Sequence, residues 1–125
     1  MKNLTDKKRV SSEKGTRLTN SKNETLFKLA ICEQLDNNFC FKNLKNPDIK
    51  HLHKFIDETI GKNLTISIVD KLYLRTKGQI QQEINGRDVI HYGKDNQPFR
   101  IFGYYNSDGY FNITRIDPKH KTHKS

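Results

Sequence analysis

Familiar catalytic signatures are missing from this 125-residue chain. It holds no H-E-x-x-H, no phosphate-binding glycine loop and no G-x-S-x-G. Cysteine is scarce: Cys32 and Cys40 are the only two, and their spacing fits no zinc or redox motif. Two thiols do not make a disulfide framework, which points to reduced cysteines and a cytoplasmic location. On that expectation the N-x-T matches at Asn3, Asn23, Asn63 and Asn112 carry no glycosylation message. No apolar run approaches the ~18–20 residues that span a bilayer. The opening MKNLTDKKRVSSEKG is basic but lacks the apolar stretch of a signal peptide, so no membrane partner is expected. Apolar residues make up only 33% of the chain, against a usual ~45–50% on a scale that also counts glycine. One modest core is therefore all it can build.

Acidic residues are outnumbered, 14 against 23 Lys and Arg, for a formal charge of +9. Such a balance favours phosphate-rich partners, nucleic acid or an anionic membrane surface. A Lys- and Asn-rich composition is also what an AT-rich genome produces. The charge begins early. Residues 1–24 are polar, lack periodicity and carry a net +4, and read as a flexible basic arm ahead of a single domain over 25–125.

Within that domain the stretch TLFKLAICEQL (25–35) is too densely apolar for either period, and FCFKNL (39–44) alternates like a strand. Residues 25–33 and 38–44 are expected to form a hairpin, with a helix for the first piece as the alternative. NPDIKHLHKFIDETIG is the clearest helix. Asn46 can cap it, Pro47 suits its first position, and Asp48 suits the positive end of its dipole. Ile49, Leu52, Ile56 and Ile60 make one apolar stripe with Phe55 beside it, and Gly61 is a plausible stop. NLTISIVDKLYLRTKG predicts a second helix with Ser67 and Asp70 as its capping box, Leu64, Ile68 and Leu72 on one face, and an end at Gly78. Its β-branched residues argue for a strand instead. QIQQEINGRD carries an Asn-Gly turn signal, and DVIHYG predicts a short strand. The resulting fold class is α+β: an antiparallel sheet of four to five strands with two helices on one face.

FRIFGYYNSDGYFNITRID closes the domain as a hairpin around NSDG. Placing Tyr105 opposite Tyr110 pairs Tyr104 with Phe111, Phe102 with Ile113, and Arg100 with Arg115. Two like charges directly opposite cost stability. Either Asp117, on the same face, completes a structural cluster, or the pair awaits a phosphate that both guanidinium groups can grip. Pro118 turns the chain at what should be a sheet edge, where Lys119, His120, Lys121, His123 and Lys124 gather. Tyr92, Tyr104, Tyr105 and Tyr110 offer rings on which bases could stack, though sheets are often aromatic for packing reasons alone. His51 and His53 diverge on a helix, and His120 and His123 lack a partner motif, so no metal and no cofactor is expected.

The ending FRIFGYY…YFNITRIDPKH, through Arg100, Gly103, Asp117, Pro118 and His120, resembles that of a group of small bacterial proteins. Those finish in an Arg-containing strand, a hydrophobic strand and Asp-Pro-x-His. The order helix–helix–strand–strand–strand is also similar to RelE/ParE-type toxins. That resemblance implies a basic domain that docks on RNA or the ribosome, is held by a protein antitoxin, and cleaves mRNA without metal. The matching residue types would be Arg100, Arg115, Tyr104, His120 and Lys121, with Arg100, Tyr104, His120 and Lys121 as catalytic groups. Arg115 and, from the basic tail and aromatic strand, Lys119, Lys124 and Tyr105 are the candidates for binding nucleic acid. The alternative is a non-catalytic nucleic-acid-binding protein, or an interaction protein of a phage or mobile element.

Overall fold

A computed structural model describes residues 25–75 and 82–122. The proposed arm over 1–24, Gly78 and Lys124 lie outside the described residues. The order is β1 (Leu29–Ala30), α1 (Asn46–Thr59), α2 (Ile66–Tyr73), β2 (Gln82–Ile84), β3 (Arg87–Gly93), β4 (Arg100–Tyr105) and β5 (Phe111–Asp117). The strands form one sheet in the order β1-β5-β4-β3-β2. Every pair is antiparallel except β1 with β5. The α+β class with two helices on one face of a five-stranded sheet is as expected.

The hairpin over 25–44 does not form. Leu26 bridges Thr65, Leu29 and Ala30 pair with Phe111 and Asn112, and Phe41–Asn43 is a 3-10 turn. The dense apolar run serves two neighbours in succession. The Phe27 N–H donates to the Leu64 carbonyl and the Phe111 N–H to the Lys28 carbonyl. Phe27 is thereby threaded into the core, 5.9 Å from Phe55, 5.6 Å from Tyr92 and 6.2 Å from Phe111 between ring centroids.

Helix α1 starts one residue earlier than expected: Lys45 rather than Asn46 is its cap, and Asp48 secures the start, its carboxylate accepting the Lys45 N–H at 2.9 Å. It buries Asp48, Phe55 and Thr59, with Leu52 against the core, and leaves Ile49 half exposed. The true inward face is rotated from the predicted stripe because the large Phe55 ring takes its centre. Past Gly61 the chain leaves at Asn63, whose φ of +56° is left-handed. In α2 the cap is Thr65, accepting the Ile68 N–H, rather than Ser67. Ile66, Val69 and Tyr73 face inward, and Ile68 and Leu72 face out. Both faces carry apolar residues, so periodicity could not choose between them.

After α2, Leu74 bridges Tyr92 and the Arg75 N–H donates to the His91 carbonyl. The Asn-Gly turn appears as read: Asn85 and Gly86 both have positive φ and join β2 to β3. The last hairpin departs from its expected register twice. Its turn is one residue longer, with Tyr105 opposite Phe111, because the Asn106 side chain accepts the N–H groups of Asp108 and Tyr110. A bulge between Phe102 and Gly103 then adds a second shift. Arg100 faces Asp117, and Arg115 faces Phe102. The bulge depends on Gly103, where a Cβ would stand 2.1 Å from the Asn112 carbonyl oxygen. Gly103→Ala should therefore cost ~3 kcal/mol or more, measured as a lower urea midpoint with a native-like slope.

Candidate nucleic-acid interface

Alternation divides the sheet. Tyr92, Ile101, Phe111, Ile113 and Ile116 pack with Phe55, Ile66 and Val69 beneath the helices. Residues 87, 89, 91 and 93 of β3, 100, 102 and 104 of β4, and 115 and 117 of β5 take the opposite, helix-free face. Leu74 packs on the core, so its neighbour Arg75 also points to the helix-free side. All four arginines of the described residues thus share one face.

They differ in how they are held. Arg115 is buried; its Nε donates to Asp36 at 2.8 Å, Nη1 donates to Thr122 at 3.0 Å, and its guanidinium lies 4.0 Å over the Phe39 ring. Arg100 is buried too. Its Nη1 donates to the carbonyls of Lys94, Gln97 and Phe99, and so gathers the β3–β4 loop around itself. Arg87 pairs with Glu33 and stacks 5.5 Å over Tyr104, at the half-exposed rim. Arg75 Nη1 meets Asp95 at 2.7 Å, and the Asp95 side chain is 84% exposed.

The expected pairing of Arg100 with Arg115 is therefore overturned, together with the phosphate seat built on it. Each arginine has its own internal partners. Asp117 completes no cluster between them: its two oxygens accept the Lys121 N–H at 2.9 Å and the Thr122 N–H at 2.6 Å. That closes the turn at Pro118, where His120 adopts a left-handed φ of +58°. Nor is this a sheet edge. β5 is flanked by β4 on one side, and on the other by β1 and the loop whose Asp36 N–H and Phe39 carbonyl bond to Thr114 and Ile116.

The remaining candidates spread out. Tyr104 is half buried, with its hydroxyl donating to Glu33 at 3.1 Å, and stands at the opposite end of β4 from Arg100. Burial, then the Glu33 hydrogen bond, raises its pKa. Tyr105 points into the core, and its hydroxyl meets that of Tyr92 at 2.6 Å. Tyr92 in turn donates to Asp70 on α2, leaving Tyr105 to donate to Tyr92. Burial raises the pKa of both phenols, and neither is available to stack on a base. Lys119 and Lys121 are exposed on the closing turn, and His120 is half buried between them. Arg75 and Arg87 escaped the sequence reading. The Asn-Gly turn places Arg87 at a strand start, in phase with His91, but Arg75 is placed only by the bridge from Leu74 to Tyr92.

Charge is distributed unevenly. The described residues hold fourteen Lys and Arg against eleven Asp and Glu; the other nine cations, against three acids, belong to 1–24, 76–81 and 123–125. Many acids in the described body are spent internally, on Arg75, Arg87, Arg115, Tyr92 and the Lys45 and Pro118 turns. Glu58 is pulled below the usual carboxylate range first by its hydrogen bond from Lys94. Several exposed lysines, among them Lys42, Lys45, Lys119 and Lys121, make no ion pair among the described residues. These four stand on the two segments that meet at Arg115. A broad groove of about 690 Å³ opens beside Lys42, which lines it with Ile31, Glu33, Leu35 and Phe41 among others.

Among the described residues no group of three or more His, Cys, Asp or Glu could hold a metal, and no helix is long and apolar enough to cross a membrane. No protein-family model, curated protein or solved structure matches the chain.

Two outcomes test this arrangement. Asp36→Ala strands the Arg115 charge in a largely buried site and should destabilise by about 3 kcal/mol, read by urea unfolding. For Asp117, burial alone would raise the pKa, but hydrogen bonds from Thr122, Lys121 and Lys119 outweigh it and hold it low. A depressed folded pKa stabilises above the unfolded value of about 3.9 and is lost as pH falls through the folded one. Asp117→Asn should be less stable than the wild type at pH 6, with the gap closing below about pH 4 in parallel unfolding titrations.

Proposed function

We propose that this chain is a small basic RNA-binding protein that uses the margins of the helix-free face of its sheet, at Arg75 and Arg87, and the exposed lysines nearby. The observation that carries this reading is the gathering of all four described arginines on that face. Two of them, Arg115 and Arg100, are structural. The other two, Arg87 and Arg75, sit in ion pairs that open to solvent. Exposed pairs are worth ~1 kcal/mol or less, so a phosphate can exchange with the carboxylate. Lysines nearby that make no ion pair among the described residues add attraction without a defined geometry.

Binding is favoured over RelE-like cleavage. In-line attack by a ribose hydroxyl needs a base, an acid and a cation within a few ångströms of one phosphate. Arg100 and Tyr104 are four residues apart along β4, roughly 13 Å at ~3.3 Å per residue, and Arg100 is engaged with carbonyls.

The test is fluorescence anisotropy on a labelled single-stranded RNA between 50 and 200 mM salt, with the RNA run on a gel afterwards. Affinity should fall about tenfold or more across that range, and the RNA should stay intact. Arg87→Ala should weaken binding and lower the salt slope by about one. Binding indifferent to salt, or none at 50 mM, overturns the reading. Cut RNA would return the protein to the cleavage class.

A further inference from the structure

We propose that Arg75 and Arg100 form a seat for a phosphate group at the start of β4, closed in this structure by the carboxylate of Asp95. The seat rests on the RNA-binding reading for the identity of its ligand, and it locates where on the helix-free face a phosphate is held.

Gly93 makes the approach possible. It faces Arg100 in the register, and a Cβ there would stand 2.6 Å from both Cδ and Nη1 of Arg100. With no side chain in the way, Arg100 lies across β3 toward the strand's outer flank. Arg75 occupies that flank, anchored by its N–H on the His91 carbonyl at 3.0 Å. Two guanidinium groups thus share one corner of the helix-free face. Burial first, and the charge of Arg75 second, hold the Arg100 pKa below its ordinary value.

One donor at this corner lacks an acceptor among the described residues. Arg100 is only 5% exposed, and its Nε is buried with no hydrogen-bond partner among the described residues, while Nη1 is shared by three carbonyls. Asp117 faces it in the register, but both Asp117 oxygens are taken by the turn that follows. A buried N–H on a charged group without an acceptor is costly. The carboxylate that does reach the corner, Asp95, binds Arg75 and is 84% exposed. It holds the place an oxyanion would take.

A terminal phosphate has more oxygens and more charge than a carboxylate, and a phosphodiester matches the carboxylate with two oxygens and one charge. One phosphate oxygen can accept from Arg75 while another accepts from Arg100 Nε, a charge-assisted hydrogen bond from each guanidinium group. Asp95 turns outward into water at little cost, because little of it is buried. The loop that carries Asp95 stays in place, held by Arg100 Nη1. The chemistry fits either a phosphate within an RNA chain or a terminal one.

The test uses the full ¹⁵N-labelled chain and follows the arginine Nε–H resonances as inorganic phosphate is added. We expect a saturable shift of the Arg100 Nε–H. Asp95→Asn should bind about three- to fivefold tighter, the scale of the exposed pair it removes, and Arg75→Gln should lose the shift while its amide spectrum stays native-like. No saturable shift in either wild type or Asp95→Asn at tens of millimolar overturns the seat, as does equal affinity in all three proteins. The same RNA with and without a 5′-phosphate then separates the sources. Preference for the phosphorylated end assigns the terminal group, and equal binding weakened alike by Arg75→Gln assigns the backbone. RNA binding that ignores Arg75→Gln refutes the seat and leaves the RNA reading standing. A phosphate response without RNA binding refutes the RNA reading and leaves the seat to a small phosphorylated ligand.

Discussion

Strand β5 is buried along its whole length although its sequence, FNITRID, is more than half polar. Much of the architecture follows from that constraint. A buried polar group without a partner costs more than most contacts return. The Asn112 side-chain oxygen accepts the Cys32 N–H, Thr114 donates to the Phe102 carbonyl, Arg115 takes Asp36 and Thr122, and Asp117 takes the turn beyond it. The loop from Cys32 to Phe39 and the turn from Pro118 to Thr122 are positioned by these demands. They cover β5 where no further strand is available.

The same demands sort the arginines. Arg115 and Arg100 lie where the sheet is covered, so each has been drawn into internal bonds that water cannot replace. Arg87 and Arg75 lie at the margins of β3, where their carboxylate partners remain wet. One chemical group on one face therefore serves two ends. Arg115 and the Nη1 group of Arg100 build the fold, and the marginal arginines keep an exchangeable partner. Beneath the sheet, the hydroxyls of Tyr92 and Tyr105 with Asp70 tie α2 to β3 and β4 through the core.

Legibility followed how local the deciding physics was. Helix α1 could be read because Pro47, Asp48 and Phe55 act within a turn or two of one another. The β2–β3 turn could be read because Asn85-Gly86 adopts its left-handed pair wherever it stands. The register of the last hairpin could not. It turned on the Asn106 side chain closing a longer loop, and on a bulge that Gly103 permits only because Asn112 comes so close. Two single-residue shifts were enough to replace Arg115 by Asp117 opposite Arg100. The stretch 25–35 failed for a related reason: its apolar residues answer to α2 and β5, neither of which is near in sequence.

Composition and pattern by themselves determined the class of fold, the two helices, most of the strands and the excess of positive charge. Each of these sums short-range preferences or simple counts along the chain. Tertiary structure alone decided which arginine meets which carboxylate, that β5 is interior, and that Arg75 joins the helix-free face. Those outcomes depend on pairings between residues as far apart as Asp36 and Arg115, and on the steric room left at Gly93 and Gly103. A buried charge takes whichever partner the closed fold brings within reach, and no local rule names that partner in advance.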